Sequence, residues 1–200
     1  SVQGVTLTEK NGKTYDYETD TVILAIGHSA RDTVEMLYNK GVPMLQKPFS
    51  VGARIEHKRE MINESQYGKF ANHPRLGAAS YKLACHPQGG RGAYTFCMCP
   101  GGYVVNASSE PERTCVNGMS YSGRNAANAN SAIIVSVTKD DFGGEDALAG
   151  MRYQRMLEHK NYMLGNGKIP QQLFGDYCQN VESSAYGAYA SETKGQTVFS

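Results

Sequence analysis

No tryptophan occurs in this chain of 200 residues, and 20 basic side chains nearly cancel 19 acidic ones for a net charge of +1. Charge so dispersed offers no basic stripe to follow a phosphate backbone, so no nucleic acid is expected as a partner. No apolar run approaches the about 18 residues that a bilayer span requires, and no membrane partner is expected either. Cysteine is scarce, with five residues at irregular spacing. An odd count without a framework argues against disulfide stapling and for a reducing compartment, so the expected location is cytoplasmic. Missing too are a G-x-G-x-x-G phosphate fingerprint, a Walker loop, an H-E-x-x-H helix and any Ser-His-Asp arrangement. Composition and spacing therefore name no reaction.

What is present favours strands and tight backbone: 40% hydrophobic residues, 22 glycines and 13 tyrosines. Val2 to Thr8 alternates, Asn11-Gly12 is a strong hairpin signal, and Lys13 to Tyr17 is the return strand. Thr21 to Ile26 (TVILAI) is a continuous apolar run of the kind buried on both faces of a sheet. Gly27-His28 ends it, and Ser29 to Asp32 reads as a capping-box start to a helix stopped by Gly41 and Pro43. A glycine turn before a helix N-terminus suits an anionic ligand. Half of a nucleotide-binding unit is thus present, and the simplest expectation is a piece of a longer polypeptide.

Phe49 to Glu56 is the next strand, with Arg54 and Glu56 on one face and Gly52 marking a bulge or close approach. His57 to Gln66 is a short helix, and Ala78 to Ala84 is strand or irregular. Thr114 to Val116 is a short strand, Asn117 to Ser120 a tight turn, and Arg124 to Asn130 a loop. Ala132 to Val137 is a strand, Glu145 to Leu164 the longest helix, and Gln171 to Cys178 a last short one. From Val181 onward the composition reads as an irregular tail. The fold class is α+β, with a mixed or antiparallel sheet that can curl toward a half-barrel. Residues 1–46 form one domain, 47–180 a second, and 181–200 a tail leading back.

The chain centres on Tyr94-Thr-Phe-Cys-Met-Cys-Pro-Gly-Gly-Tyr-Val-Val-Asn106. On an extended strand Cys97 and Cys99 face one side, and Pro100, Gly101 and Gly102 then end the ladder and clear side chains away. Backbone so bare is suited to close approach by something. Zinc held by Cys85, His86, Cys97 and Cys99 is one reading, without the usual ligand spacings. A strained C-x-C redox pair is another, and buried apolar packing of the thiols a third. Arg54 and Glu56 read as an ion pair or as two substrate contacts.

Taken as an ordered set, AIGHSARDT (Ala25 to Thr33), GARIEH (Gly52 to His57), YTFCMCPGGYVV (Tyr94 to Val105), NGMS (Asn117 to Ser120) and the Asn128-Ala-Asn130 loop carry a resemblance. They resemble the uncharacterised FAD-dependent dehydrogenases, a bacterial branch of the two-dinucleotide-binding-domain flavoproteins. The resemblance implies that residues 1–46 hold the hairpin and last strand of an FAD domain, and that a substrate domain follows. It implies FAD contacts at Gly27, His28, Ser29, Pro100, Gly101, Gly102, Asn117 and Ser120. Substrate contacts are implied at Arg54, Glu56 and Tyr94, with Cys97 and Cys99 as the catalytic candidates. The implied partners are a small-molecule substrate and NADH or NADPH as electron donor. Without the phosphate fingerprint, this chain by itself is expected to hold FAD weakly or not at all and to be inactive. The alternative is a non-enzymatic module that binds zinc or nucleic acid.

Overall fold

The computed structural model describes residues 2–187 and 190–199, and they divide into two compact units, 1–42 and 43–200. In the first unit, β1 (Gly4–Thr8) and β2 (Thr14–Glu18) pair antiparallel, from Gly4↔Glu18 to Thr8↔Thr14. Gly12 turns the hairpin at φ +85°, while Asn11 Oδ1 accepts the Lys13 amide at 2.8 Å. The helix α1 (Arg31–Asn39) follows.

Two expectations for this unit fail. The run 21–26 is no strand, and its side chains are exposed, Ile23 to 87%. Apolar β-formers make a buried strand only when neighbours pair with both edges, and none of the described residues ladders with this run. The capping box at 29–32 is also absent. The N-cap is Ala30, one residue past Ser29, and Asp32 Oδ1 accepts the adjacent Thr33 amide at 2.7 Å instead of reaching back.

The second unit is built on an antiparallel sheet in the order β3–β8–β5–β4, formed by β3 (Phe49–Lys58), β8 (Asn128–Val137), β5 (Ala93–Cys99) and β4 (Ala84–Cys85). Between β3 and β5 in sequence, α2 (Arg59–Tyr67) ends at Gly68, where φ is +55°. All ten residues of β3 are in register with β8, from Phe49↔Val137 to Lys58↔Asn128. Gly52 is required there, because a Cβ would run into the carbonyl of Ile133 on β8. A separate antiparallel pair joins β6 (Tyr103–Asn106) to β7 (Val116–Met119). The α+β class is as expected, and no closed barrel forms among the described residues.

Alternation along β3 and β8 sends Phe49, Val51 and Val137 to one face. They pack there with Phe142, Ala149 and Tyr153 from α3 (Lys139–Phe142) and α4 (Ala149–Leu164). The rings of Phe49 and Phe142 stack with centroids 4.9 Å apart. A capping box does form here: Thr138 caps α3, and Asp141 Oδ2 accepts the Thr138 amide at 2.8 Å.

Tertiary context corrects several local expectations. Asn117 to Met119 is strand β7, not a turn, and Asn128 to Asn130 opens β8 instead of lying in a loop. In both cases a partner strand supplies the hydrogen bonds that a turn would have made locally. The longest helix starts at Ala149 rather than Glu145, and the last, α5 (Phe174–Gln179), starts three residues late. The tail is not wholly irregular, since β10 (Thr197–Phe199) pairs in parallel with β9 (Ile169–Gln171).

Candidate functional site

Strict alternation along β5 would put Tyr94 and Phe96 on one face and Cys97 and Cys99 together on the other. The register shows otherwise. Phe96 opposes Ala132 and Cys99 opposes Asn130, so three steps on β5 match two on β8. One extra residue makes a bulge, and Cys97 within it has φ +44°, the left-handed conformation that such bulges usually give to glycine. The bulge turns Cys99 to the Phe96 face, which is also the face of Arg54, Glu56, Asn128 and Asn130. The two thiols therefore do not share a side: Cys97 is exposed and Cys99 is buried.

Arg54 organises the polar side chains of this face. Its Nη1 donates to Asn130 Oδ1 at 2.5 Å and to the Cys97 carbonyl at 3.2 Å, and lies 3.9 Å from Cys99 Sγ. Its Nη2 donates to Asn117 Oδ1 at 3.3 Å. Cys99 Sγ also donates to the Cys97 carbonyl, at 3.3 Å, so two donors hold the strained bulge in place. Asn130 is fully buried at 0% exposure, and its Nδ2 has no partner among the described residues. Gly118 of β7 lies over the pair, since a Cβ there would strike Arg54 Nη1 and Asn130 Oδ1.

The glycines after the bulge serve the chain's own packing. Pro100, Gly101 and Gly102 are buried. A Cβ on Gly101 would meet the Arg124 carbonyl, and one on Gly102 the Met119 carbonyl and Ser120 Oγ. Ser120 Oγ donates to the Pro100 carbonyl at 2.9 Å. The bare backbone expected to admit a ligand is thus occupied by neighbouring backbone.

Glu56 does not pair with Arg54. Its Oε1 accepts from Asn128 Nδ2 at 3.1 Å and from the Glu192 amide at 2.9 Å, tying β3 to the C-terminal segment. Tyr94 is bound elsewhere, its hydroxyl 2.6 Å from Ser50 Oγ. With His86, Arg91, Ser136 and Thr138 it lines an open hollow of about 540 Å³ toward the other end of the sheet. Structure thus gathers Arg54, Cys97, Cys99, Asn117 and Asn130, and leaves Tyr94 and Glu56 with other partners. Gly27, His28 and Ser29 lie in the first unit, all exposed, with Gly27 at φ +73° and open space where a Cβ would stand.

Sequence reasoning missed a second pair on the opposite sheet face. His57 Nε2 and the Tyr81 hydroxyl are 2.7 Å apart. Burial lowers the His57 pKa from its usual 6.5 and raises that of Tyr81 above 10.0. Reading His57 as helix instead of strand end hid its alternation with Ile55. Among the described residues no group of three or more His, Cys, Asp or Glu side chains could hold a metal ion, so zinc at Cys85, His86, Cys97 and Cys99 finds no support. No helix among them is long and apolar enough to cross a membrane.

Fold and site define an α+β protein whose bulged central sheet carries an arginine-centred polar cluster. The family model described as "FAD-dependent protein, C-terminal domain-like" matches residues 48–200, which contain that sheet. The chain belongs to this family. A bacterial relative, an "Uncharacterized protein" of Clostridium beijerinckii (strain ATCC 51743 / NCIMB 8052), is 49% identical over 180 residues. The match covers 88% of this chain and 33% of the relative, so the chain spans about a third of that protein's length.

Proposed function

We propose that this chain is the substrate-facing portion of an FAD-dependent oxidoreductase, a cytoplasmic dehydrogenase acting on a small molecule with NADH or NADPH as electron donor. The observation that carries the reading is the family match over the very residues that assemble the Arg54 cluster. Family membership supports a flavin as cofactor, and the cluster offers a polar, geometrically held surface for a ligand.

The turn at Gly27-His28-Ser29 fits a dinucleotide. It is open, adopts a conformation natural to glycine, and leads into α1, which has no side-chain cap at Ala30. Gly101 and Gly102 fit a flat ring less well, because the chain's own backbone fills the space beside them. In this reading Gly27 to Ser29 hold FAD, while Pro100 to Gly102, Asn117 and Ser120 support the bulge from behind. Bound flavin supplies hydride transfer. Arg54 orients a ligand, Cys97 lends the carbonyl that holds Nη1, and Cys99 is packed beside the guanidinium as a positioning residue.

The test is purification of a full-length parent protein, with Cys97→Ser and Cys99→Ser beside it, read by flavin absorbance and by reduction rate with NADH and NADPH. One FAD per chain, with a reduction rate changed more by Cys99→Ser than by Cys97→Ser, is the expected result. A colourless parent that takes up no added FAD overturns the reading.

A further inference from the structure

Among the described residues Arg54 is a cation without a counter-charge. Every hydrogen bond its guanidinium makes among the described residues goes to a neutral acceptor, Asn130 Oδ1, the Cys97 carbonyl, Cys99 Sγ or Asn117 Oδ1. Glu56, two residues along the same strand face, is taken up by Asn128 and the Glu192 amide. Several other arginines in this unit do find acids: Arg91 pairs with Asp141, Arg152 with Asp146, and Arg155 with Glu110. A partly buried guanidinium fixed in place by neutral groups keeps its full charge available.

The direction of that charge is also set. Nη1 is the anchored end, with two oxygen acceptors and a sulfur near it. Nε donates to none of the described residues, yet it is not among the sealed polar atoms that lack a partner. Nε–H and one Nη2–H share an edge of the planar group, the edge that grips two oxygens at once. Asn130, which fixes Arg54 through Oδ1, adds an amide nitrogen without a partner among the described residues, and among them the cluster is rich in donors and holds no acid.

The geometry points to an oxyanion site on the Nε–Nη2 edge of Arg54, taking the carboxylate or phosphate group of a small-molecule ligand. Naming that ligand as substrate or cofactor rests on the proposed function; the binding itself needs no flavin. Gly118 keeps β7 bare against the pair, and the Cys97 bulge presents the carbonyl that holds Nη1. The bulge is then part of the site, aiming the arginine rather than reacting.

The test uses this chain labelled with ¹⁵N and free of flavin. Sodium acetate and inorganic phosphate are added separately at constant ionic strength, and the Arg54 Nε–H and Gly118 amide resonances are followed. A saturable shift is expected, tighter with acetate for a carboxylate ligand and tighter with phosphate for a phosphoryl one. Arg54→Gln should abolish the Gly118 shift. Arg54→Lys, which keeps charge but loses the fork, should weaken it about ten-fold or more. No saturable shift with either anion, or a Gly118 shift that survives Arg54→Gln, overturns the proposal. Should Arg54→Gln fail to fold, the wild-type titration and Arg54→Lys decide. A parent without FAD would sink the flavoprotein reading and leave this binding intact, whereas a yellow parent whose chain ignores both anions would do the reverse.

Discussion

Replacing Gly101 by alanine separates two explanations of the bare backbone after the bulge. If the glycine serves internal packing, the substitution destabilises this chain beyond the cost of its positive φ; if it serves only a ligand, that conformational cost is all that is lost. Gly101 has φ +51°, which costs an L-residue about 1–2 kcal/mol. The new Cβ also collides with the Arg124 carbonyl and lies 3.1 Å from the Asn125 nitrogen. Overpacking against backbone of this kind costs about 1–3 kcal/mol, and the stiffer unfolded chain returns about 0.4–1 kcal/mol. The net expectation is a loss of about 2–4 kcal/mol. With a urea slope of about 2 kcal/mol per molar, the midpoint falls by about 1–2 M. Far-UV circular dichroism is the readout, since there is no tryptophan to report by fluorescence. Gly89→Ala is the matched control: φ is +72° but nothing lies within 4 Å of its Cβ, so only the conformational cost remains. A Gly101→Ala midpoint no lower than that of Gly89→Ala would refute the packing argument.

Two further expectations follow from burial. Iodoacetamide should label exposed Cys97 well before buried Cys99, as read by peptide mass spectrometry, and equal rates would mean that the bulge does not separate the thiols. The lowered pKa of His57 means that the unfolded chain takes up a proton first as pH falls below 6.5. Stability should therefore be full above pH 6.5 and decline as pH drops through it toward the folded pKa. Urea midpoints measured across pH 5–8 should flatten in His57→Gln, and an unchanged slope would discount the buried imidazole.

Local chemistry alone settled much of this fold. The Asn11-Gly12 hairpin, strand β3, the apolar half of β8 and the helix ending at Leu164 rest on turn geometry, alternation and helical period, all carried by adjacent residues. Arg54 and Glu56 stood on one face because β3 is regular enough for a two-residue period to hold. Decisions about partners were different. Asn117 to Met119 and Asn128 to Asn130 look like turns until β6 and β3 satisfy their backbone groups. Residues 21–26 look like a buried strand, yet no described residue pairs with them. The same limit governed the site. A single extra residue in β5 reversed the facing of Cys99, and no local pattern announces a bulge that places a cysteine at positive φ. Whether a glycine is bare for a ligand or for its own chain depends on what stands opposite, and Arg124 and Met119 are distant in sequence from the backbone they press against. Sequence determined which groups were available, because propensity is local. Tertiary structure decided which of them met, because register and close approach are set only when strands far apart in the chain come together.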